Sequence, residues 1–266
     1  MSDEPSPAAT VPPEPPGRGL LEGRRVVVTA AAGSGIGGSL ARRCMLEGAT
    51  LTISDAHERR LGETADALAS EFGTRPATFV CDVTDEDSVR GLVDGAIGAM
   101  GGYDTWMNNA GLGGNGLITE LTDEQWDRVL DVTLTGTFRC LRAALPHLYE
   151  QGRGAVVNNA SVLAWRAQDR QAHYAAAKAG VMALTRTAAV EAAPHGVRVN
   201  AVSPSLAMHA NLAKVTPPGL LAELEAAEAF GRAAAPWEVA NVMVFLASDL
   251  SSYMTGEVVA VSSQHP

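Results

Sequence analysis

Cysteine and aromatic residues are scarce in this chain. Its 266 residues include three cysteines, and 5% of the residues are aromatic. Cys44, Cys81 and Cys140 lie far apart and show no metal-ligand spacing. The odd number and wide separation favour a reduced, cytoplasmic protein, and we predict no metal site.

Long apolar runs and an excess of positive charge are lacking as well. No apolar run reaches the roughly 18 residues that span a bilayer, and the acidic, proline-rich N-terminus lacks the apolar core of a secretory signal. The formal net charge is −10, so nucleic acid and anionic membranes are poor partners. Hydrophobic residues make up 46% of the chain, which is enough to bury a sizeable core and argues against a mostly disordered protein.

The composition divides the chain into a tail and one domain. Residues 1–19 carry six prolines between Pro5 and Pro16 and have almost nothing to bury, so we expect an extended or disordered tail. We expect a single domain over residues 20–266. Within it, residues 206–235 lack a strand pattern and contain a Pro-Pro-Gly sequence. We interpret this stretch as a lid or substrate lobe, with a purely structural excursion as the alternative.

Beyond the tail, apolar strand-like runs alternate with helical patterns. The runs are Arg25–Ala30, Thr50–Ser54, Ala77–Cys81, Thr105–Asn108, Ala155–Asn159, Val197–Val202 and Val258–Val261. The helical patterns are Ile36–Glu47, Glu58–Phe72, Glu86–Met100, Glu124–Tyr149, Tyr174–Ala192 and Pro236–Ser248. Several runs are apolar on both faces, which is typical of a parallel sheet covered by helices on both sides. The alternation predicts an α/β fold with a doubly wound parallel sheet.

The first predicted strand runs into a glycine-rich turn that precedes a helix. The turn includes Gly33, Ser34, Gly35, Ile36 and Gly37. Small residues let the backbone approach a pyrophosphate, and the helix N-terminus offers free N–H groups and the positive end of its dipole. We therefore predict that the turn binds the phosphates of a dinucleotide. Tight packing alone is the alternative interpretation.

Asp55 ends the second predicted strand. A carboxylate at this place can accept hydrogen bonds from both adenosine ribose hydroxyls and would repel a 2′-phosphate, which favours NAD over NADP. Arg59 and Arg60 lie nearby and could accommodate a phosphate. A helix N-cap is the structural alternative for Asp55.

Two further strand ends carry candidate cofactor contacts. Asp82 and Val83 follow the third strand, where a carboxylate can meet the adenine amino group. Asn109, Ala110 and Gly111 follow the fourth strand. Their small size and side-chain amide suit a crevice at the carboxyl edge of the sheet.

Tyr174 and Lys178 lie one helical turn apart and project from the same face, and Ser161 lies 13 residues before Tyr174. A tyrosine phenol has a pKa of about 10. A lysine ammonium about 4 Å away would lower that pKa by up to about 3 units at an effective dielectric of 20. Tyr174 would then exchange a proton with a substrate alcohol or carbonyl, while Ser161 hydrogen-bonds the same oxygen. An ordinary amphipathic helix is the structural alternative.

The chain resembles the short-chain dehydrogenase/reductase family from about Leu20 to its C-terminus. The resemblance is carried by the order and spacing of the glycine-rich turn, Asp55, Asp82, Asn109-Ala110-Gly111, Ser161, Tyr174 and Lys178. It implies a Rossmann fold, a nicotinamide cofactor, hydride transfer to or from a carbonyl carbon, and usually a tetramer. It also implies that Tyr174 is the general acid/base, that Ser161 polarises the substrate oxygen, and that Lys178 holds the nicotinamide ribose and lowers the Tyr174 pKa.

The chain departs from the family pattern at several places. Ala30 stands where the turn usually has its first glycine, and the turn is one residue longer. Thr133 stands where the family has an asparagine that joins the lysine to a water-mediated proton relay, and we expect Thr133 to serve that relay through a shifted water. Pro204 precedes Ser205 where the family has Pro-Gly, and the resemblance implies that Pro204 contacts the cofactor.

Three segments are expected to line the substrate pocket, namely residues 112–117, 162–169 and 206–230. They contribute the apolar side chains Leu112, Leu163, Trp165, Leu206, Met208 and Phe230, which fit a bulky apolar substrate. Arg166 or Lys214 would receive a carboxylate or a phosphate of coenzyme A, with surface solvation as the alternative. The sequence of the turn, the Asn-Asn-Ala-Ser-Val stretch and the Gln-His-Pro ending also resemble an actinobacterial subgroup linked to steroid-ring degradation.

Together these features predict an NAD-dependent oxidoreductase that acts on a secondary alcohol or ketone of a small-molecule substrate. A 3-oxoacyl-thioester reductase is the alternative enzyme, and a dinucleotide-sensing binding protein is the alternative without chemistry. A sensor has no need of Ser161, Tyr174 and Lys178 together, so the enzyme is favoured. The apolar circumference of the helix from Tyr174 to Ala192 further predicts a homotetramer or homodimer.

Overall fold

Strands and helices alternate along the part of the chain that the computed structural model describes, residues 9–208 and 218–263. The strands within these ranges are β1 (Arg25–Val28), β2 (Thr50–Asp55), β3 (Ala77–Val80), β4 (Thr105–Asn108), β5 (Gly154–Asn159), β6 (Val197–Pro204) and β7 (Val258–Val261). The α-helices are α1 (Ile36–Leu46), α2 (Glu58–Phe72), α3 (Glu86–Met100), α4 (Asp123–Leu130), α5 (Gly136–Gln151), α6 (Ala172–Ala192), α7 (Pro218–Ala227) and α8 (Pro236–Ala247).

The strands form one parallel sheet in the order β3-β2-β1-β4-β5-β6-β7. This arrangement confirms the predicted doubly wound α/β fold. The direction in which strands are added reverses between β1 and β4. In such sheets a crevice opens at this point along the carboxyl ends of the strands, and ligands bind there.

The sheet is buried on both faces, because successive side chains of a strand point to opposite sides. In β1, Val26 and Val28 pack into the cluster formed with α1, α2 and α8. Val27 between them packs into the cluster formed with α3, α5 and α6. The two apolar layers explain why the strands read as continuous apolar runs.

Local signals set several helix ends. The Asp85 carboxylate accepts a hydrogen bond from the Asp87 N–H at the start of α3. Thr122 and Gln125 form a capping box at the start of α4. Pro236 occupies the first turn of α8, where its missing N–H costs no helical hydrogen bond.

Most elements begin and end within two residues of their predicted bounds, and two differences have a clear local cause. β1 ends at Val28 rather than Ala30, because Ala30 adopts a left-handed backbone with a φ of 49° that a strand cannot contain. The helix predicted over Glu124–Tyr149 is divided into α4 and α5 by a π-helical turn at Asp131–Thr135. Such a turn widens the helix locally, and it contains Thr133.

The described part of the predicted tail, residues 9–19, has no helix or strand and lies along α1. Glu14 forms an ion pair with Arg42, and Arg43 Nη1 donates to the Pro15 carbonyl oxygen at 2.5 Å. The Glu47 carboxylate accepts from the backbone N–H of Arg18 at 2.8 Å. These contacts anchor an extended segment that has few apolar side chains to bury.

The stretch interpreted as a lid or substrate lobe contains one helix, α7, within the described residues. Ala207 and Ala234 lie near the two ends of the stretch 206–235 and pair in an isolated parallel bridge. The stretch therefore begins and ends at neighbouring positions. No helix of the described residues is long and apolar enough to cross a membrane.

Candidate functional site

The turn between β1 and α1 packs so closely that two of its positions leave no room for a side chain. A Cβ on Gly37 would lie 2.1 Å from the Ala30 carbonyl oxygen, and one on Gly38 would lie 1.8 Å from the Gly33 carbonyl oxygen. Gly35 caps α1 without a side-chain hydrogen bond. The first N–H groups of α1 therefore face the turn without a side-chain cap and are suited to an anion.

Asp55 stands beside this turn. Its Oδ2 accepts from the Ala32 N–H at 3.1 Å, and its Oδ1 accepts from the His57 N–H at 2.9 Å. The N-cap of α2 is His57, so Asp55 is not the helix cap. Burial raises the pKa of Asp55, while the hydrogen bond from Ala32 and the charge of Arg60 oppose that rise.

Thr64 on α2 is a contact that the sequence did not indicate. Its hydroxyl oxygen accepts from the Gly33 N–H at 2.9 Å. The hydrogen bond joins α2 to the glycine-rich turn across 31 positions of sequence. A threonine on a helix surface carries no signal for such a role.

Asp82 and Val83 follow β3, the neighbour of β2 in the sheet. Asp82 Oδ1 accepts from the backbone N–H and the hydroxyl of Thr84, at 2.9 and 2.8 Å. Its carboxylate is exposed at the sheet edge. Val83 is buried against Gly136, where an added Cβ would lie 2.6 Å from Val83 Cγ2.

Asn109 connects three strand ends. Its N–H donates to Thr29 Oγ1 at 3.0 Å, and its Nδ2 donates to the Ala30 carbonyl oxygen at 2.9 Å. Its Oδ1 accepts from Asn159 Nδ2 at 3.0 Å. The side chain thus ties the ends of β1, β4 and β5 together. Asn159 belonged to a predicted strand, and nothing in the sequence singled it out.

A second polar chain lies fully buried behind these residues. Trp106 Nε1 donates to Asn108 Oδ1, and Asn108 Nδ2 donates to Asn158 Oδ1, both at 2.8 Å. Asn158 Nδ2 donates to Thr185 Oγ1 at 2.9 Å. Because an unpaired buried amide is costly, this chain fixes α6 against β4 and β5.

Tyr174, Lys178 and Ser161 meet at this edge, as the spacing predicts. Ser161 follows β5, accepts from the Leu163 N–H at 3.2 Å and hydrogen-bonds Tyr174. Lys178 Nζ lies 5.6 Å from the centre of the Tyr174 ring. It donates to the Asn159 carbonyl oxygen at 2.5 Å. The Lys178 side chain is 3% exposed and lies on the stripe of α6 that faces the sheet.

The pKa of Tyr174 is raised, whereas the sequence predicted that it would be lowered. Burial raises this pKa, and the hydrogen bond with Ser161 opposes the rise. The expected lowering by the Lys178 ammonium is not found, and Nζ lies 5.6 Å from the centre of the Tyr174 ring rather than about 4 Å from the phenol. Burial also lowers the pKa of Lys178 to about 8.

Thr133 lies in the π-helical turn close to Gly111. Its hydroxyl accepts from the Leu112 N–H at 2.9 Å and donates to the Leu112 carbonyl oxygen at 3.1 Å. A Cβ on Gly111 would lie 3.8 Å from Thr133 Oγ1 and 3.3 Å from Lys178 Nζ. Thr133 is thus near the lysine, but its proton is engaged by Leu112 rather than pointing to Lys178.

The predicted substrate segments begin at neighbouring strand ends. Leu112, Leu163 and Leu206 follow β4, β5 and β6, which adjoin in the sheet, so their segments share one edge. Within these segments Trp165 is 43% exposed and Phe230 is 57% exposed. Pro204 ends β6 and is buried.

Arg166 and Lys214 were predicted to receive an anionic group of the substrate, and the structure describes one of them. Arg166 Nη2 lies 3.5 Å from Ser262 Oγ. Lys214 is outside the described residues. Among residues 9–208 and 218–263, no group of His, Cys, Asp and Glu side chains is placed to hold a metal ion.

Comparison with known proteins gives matches over nearly the whole chain. A family model described as enoyl-(acyl carrier protein) reductase matches residues 30–263. A (5R,7aS)-5-hydroxy-7a-methyl-1-oxo-2,3,5,6,7,7a-hexahydro-1H-indene-carboxyl-CoA reductase of Mycobacterium tuberculosis is 58% identical over 97% of this chain and 99% of its own. A cis-4-hydroxycyclohexanecarboxylate dehydrogenase of Sinomonas cyclohexanicum is 41% identical over 89% of this chain and 94% of its own. The crystal structure of a short chain dehydrogenase from Mycobacterium smegmatis superposes with a TM-score of 0.86 at 55% identity, covering 97% of this chain and 99% of that one.

The buried ammonium of Lys178 makes the stability of the protein depend on pH. Its pKa is about 8 in the folded chain, against 10.5 for an ordinary lysine. Between these values the unfolded chain binds more protons, so stability rises with pH. We expect the free energy of unfolding of the wild type, minus that of Lys178→Met, to increase from about pH 8 to about pH 9.5, below the range in which tyrosines titrate.

Urea unfolding at several pH values measures this difference. Arg59→Met is the matched control, because the Arg59 side chain is 80% exposed, and its difference from the wild type should stay constant over the same range. A constant difference for Lys178→Met as well would show that the ammonium is not desolvated.

Proposed function

The chain belongs to the short-chain dehydrogenase/reductase family and is an oxidoreductase acting on CH–OH and ketone groups; we propose that it reduces a ring ketone of an apolar, coenzyme A-linked substrate of steroid origin. The observation that carries the proposal is the meeting of Ser161, Tyr174 and Lys178 at the crevice beside the glycine-rich turn. The same meeting disfavours a dinucleotide sensor, which needs no proton donor.

The residues at the carboxyl edge fit a nicotinamide dinucleotide, because an uncapped helix N-terminus and a carboxylate stand side by side. We assign the phosphates to the turn from Gly33 through Ser34, Gly35 and Ile36 to Gly37. We assign the adenosine to Asp55, Asp82 and Val83, and the nicotinamide end to Asn109, Ala110, Gly111, Tyr174, Lys178 and Pro204. When bound, the cofactor supplies the hydride.

Tyr174 is the proton donor in this proposal. Burial raises its pKa, so the phenol is protonated at neutral pH. A protonated phenol can donate to a ketone oxygen as negative charge develops there, which favours the reductive direction. Ser161 hydrogen-bonds the same oxygen. Lys178 has further N–H donors beyond the one held by Asn159, and these suit a ribose hydroxyl.

Thr133 holds the loop on which the substrate lies. Its hydroxyl bridges the N–H and the carbonyl of Leu112, the first residue of a predicted substrate segment. An oxygen lone pair remains for a water near Lys178. We retain the proposal that Thr133 serves the proton relay through such a water.

The substrate class is supported by the apolar edge and by two relatives. Exposed apolar rings at Trp165 and Phe230 suit a bulky carbon skeleton. The relative from Mycobacterium tuberculosis is named for a ring compound linked to coenzyme A, and the relative from Sinomonas cyclohexanicum is named for a ring carboxylate. A 3-oxoacyl-thioester reductase is the second candidate, since a linear thioester would meet the same catalytic groups.

Replacing Tyr174 by Phe tests the reaction. Loss of the phenol proton should lower kcat for the ketone of a hexahydroindene-type CoA thioester at least about 100-fold, measured by oxidation of NADH. Tyr149→Phe is the matched control, because Tyr149 lies at the far end of α5 and stacks on His195, and it should keep wild-type turnover.

The substrate is tested with the same assay. Turnover of the indene-type thioester without turnover of acetoacetyl-CoA is expected. The opposite pattern would favour the 3-oxoacyl-thioester reductase. Undiminished activity of Tyr174→Phe would refute the role of the phenol whatever the substrate.

We propose that the cofactor is NAD rather than NADP and that Asp55 determines this preference. Asp55→Asn removes the charge that would repel a 2′-phosphate, so the ratio of the Kd values for NADP and NAD should fall about tenfold or more. Tryptophan fluorescence titration measures both constants. Asp82→Asn removes an exposed charge one strand away and should leave the ratio unchanged. An unchanged ratio in Asp55→Asn would contradict the assignment.

We also propose a homotetramer or homodimer, supported by apolar side chains on the outer surface of α5 and α6. Phe138 is 42% exposed and Val190 is 76% exposed, and exposed apolar groups on adjoining helices are typical of subunit contacts. Light scattering at micromolar concentration should give a multiple of the chain mass, and Val190→Glu should lower it. Val11→Glu, a change in the extended segment, should not. A monomer mass for the wild type would refute the proposal.

We also propose that the protein works in a reducing compartment such as the cytoplasm. Cys44, Cys81 and Cys140 are free and buried, and burial raises the pKa of the Cys81 thiol to about 11. Free thiols persist where disulfides do not form.

A further inference from the structure

A continuous hydrogen-bonded path runs from the glycine-rich turn to Lys178. The Ala30 carbonyl accepts from Asn109 Nδ2 at 2.9 Å, and Asn109 Oδ1 accepts from Asn159 Nδ2 at 3.0 Å. The Asn159 carbonyl accepts from Lys178 Nζ at 2.5 Å. The path crosses the ends of β1, β4 and β5 and reaches α6, and Asn159 contributes both its side chain and its backbone.

Asn159 and its neighbour Asn158 have separate tasks. Successive side chains of a strand point to opposite faces. Asn158 bonds Thr185 and takes part in the buried chain that fixes α6. Asn159 bonds Asn109, on the path to the turn. The two amides can therefore be disturbed one at a time.

A purely structural role accounts poorly for the Asn159 side chain. Its Oδ1 is buried and has no hydrogen-bond partner among the described residues. A buried acceptor left unpaired lowers stability, and the hydrogen bond that Asn159 donates to Asn109 offsets this cost only in part. The amide is explained if its donor group has a task that an apolar side chain cannot perform.

We propose that Asn159 is a positioning residue that couples the cofactor-binding turn to Lys178, so that the seating of the turn and the placement of the catalytic ammonium depend on one another. The inference rests on the proposed function, which assigns the turn to the dinucleotide. A shift of the turn when a ligand binds would move the Ala30 carbonyl, and the side-chain amides of Asn109 and Asn159 would transmit that movement to the carbonyl that holds Nζ.

A substitution at Asn159 should change the pKa of Lys178 in a direction that depends on the charge of the new side chain. Tyr174 is the titratable neighbour of Lys178 on α6, and Gly111 faces Lys178 from the loop that follows β4. A carboxylate at position 159 would add a negative charge to the residue whose carbonyl holds the ammonium and would favour the charged form of Lys178, whereas an apolar side chain would favour the neutral form. The two changes therefore act on Lys178 in opposite directions.

The experiment compares Asn159→Leu and Asn159→Asp with the wild type, using the Kd for NADH by tryptophan fluorescence and the pH profile of kcat/KM. Both variants lose the donor to Asn109, so both should raise the Kd for NADH about tenfold. The alkaline limb of the profile should move to lower pH in Asn159→Leu and to higher pH in Asn159→Asp. Asn159→Ser gives the same Kd comparison if the leucine variant does not fold.

Thr185→Val is the matched control, since it breaks the neighbouring path from Asn158 and leaves the one through Asn159 intact. It should lower the melting temperature and leave the Kd and the alkaline limb unchanged. Variants of Asn159 that lose stability but keep the wild-type Kd and limb would overturn the inference. Failure of the wild type to reduce the ring ketone would count against the proposed function alone, because the Kd comparison needs no turnover.

Discussion

The burial of the Lys178 ammonium is the constraint on which this site depends. The side chain lies on the sheet-facing stripe of α6 and is 3% exposed, with a backbone carbonyl of β5 as acceptor. A buried charge is costly unless its hydrogen-bond partners are held in place. The acceptor carbonyl belongs to Asn159, whose side-chain amide donates to Asn109 just past the end of β4.

The carboxyl edge of the sheet assembles the remaining groups from distant parts of the chain. Asn109 lies 79 positions from Ala30 and 50 from Asn159, and it bonds both. The parallel order of the strands is the reason, since it brings every carboxyl end to one edge. Close packing of Gly37 and Gly38 then sets the start of α1 against that edge.

Two of the departures from the family pattern, at Ala30 and at Thr133, are accommodated by the local backbone. Ala30 occupies a left-handed conformation, with a φ of 49°. The turn therefore keeps the backbone shape that a glycine would adopt, at the cost of the strain that a left-handed conformation imposes on alanine. Thr133 lies in a π-helical turn, and its hydroxyl holds both backbone groups of Leu112. A short side chain thus reaches the loop because the helix is locally widened.

Apolar runs and glycine-rich turns in the sequence were sufficient to determine the parallel sheet, most strand and helix bounds, and the meeting of Ser161, Tyr174 and Lys178, because each depends on local periodicity or on the common edge of parallel strands. The tertiary structure alone decided four features, namely the π-helical turn, the roles of Thr64 and Asn159, the anchoring of residues 9–19 and the raised pKa of Tyr174. Burial and cross-strand hydrogen bonds depend on which distant residues become neighbours, and no local pattern records that.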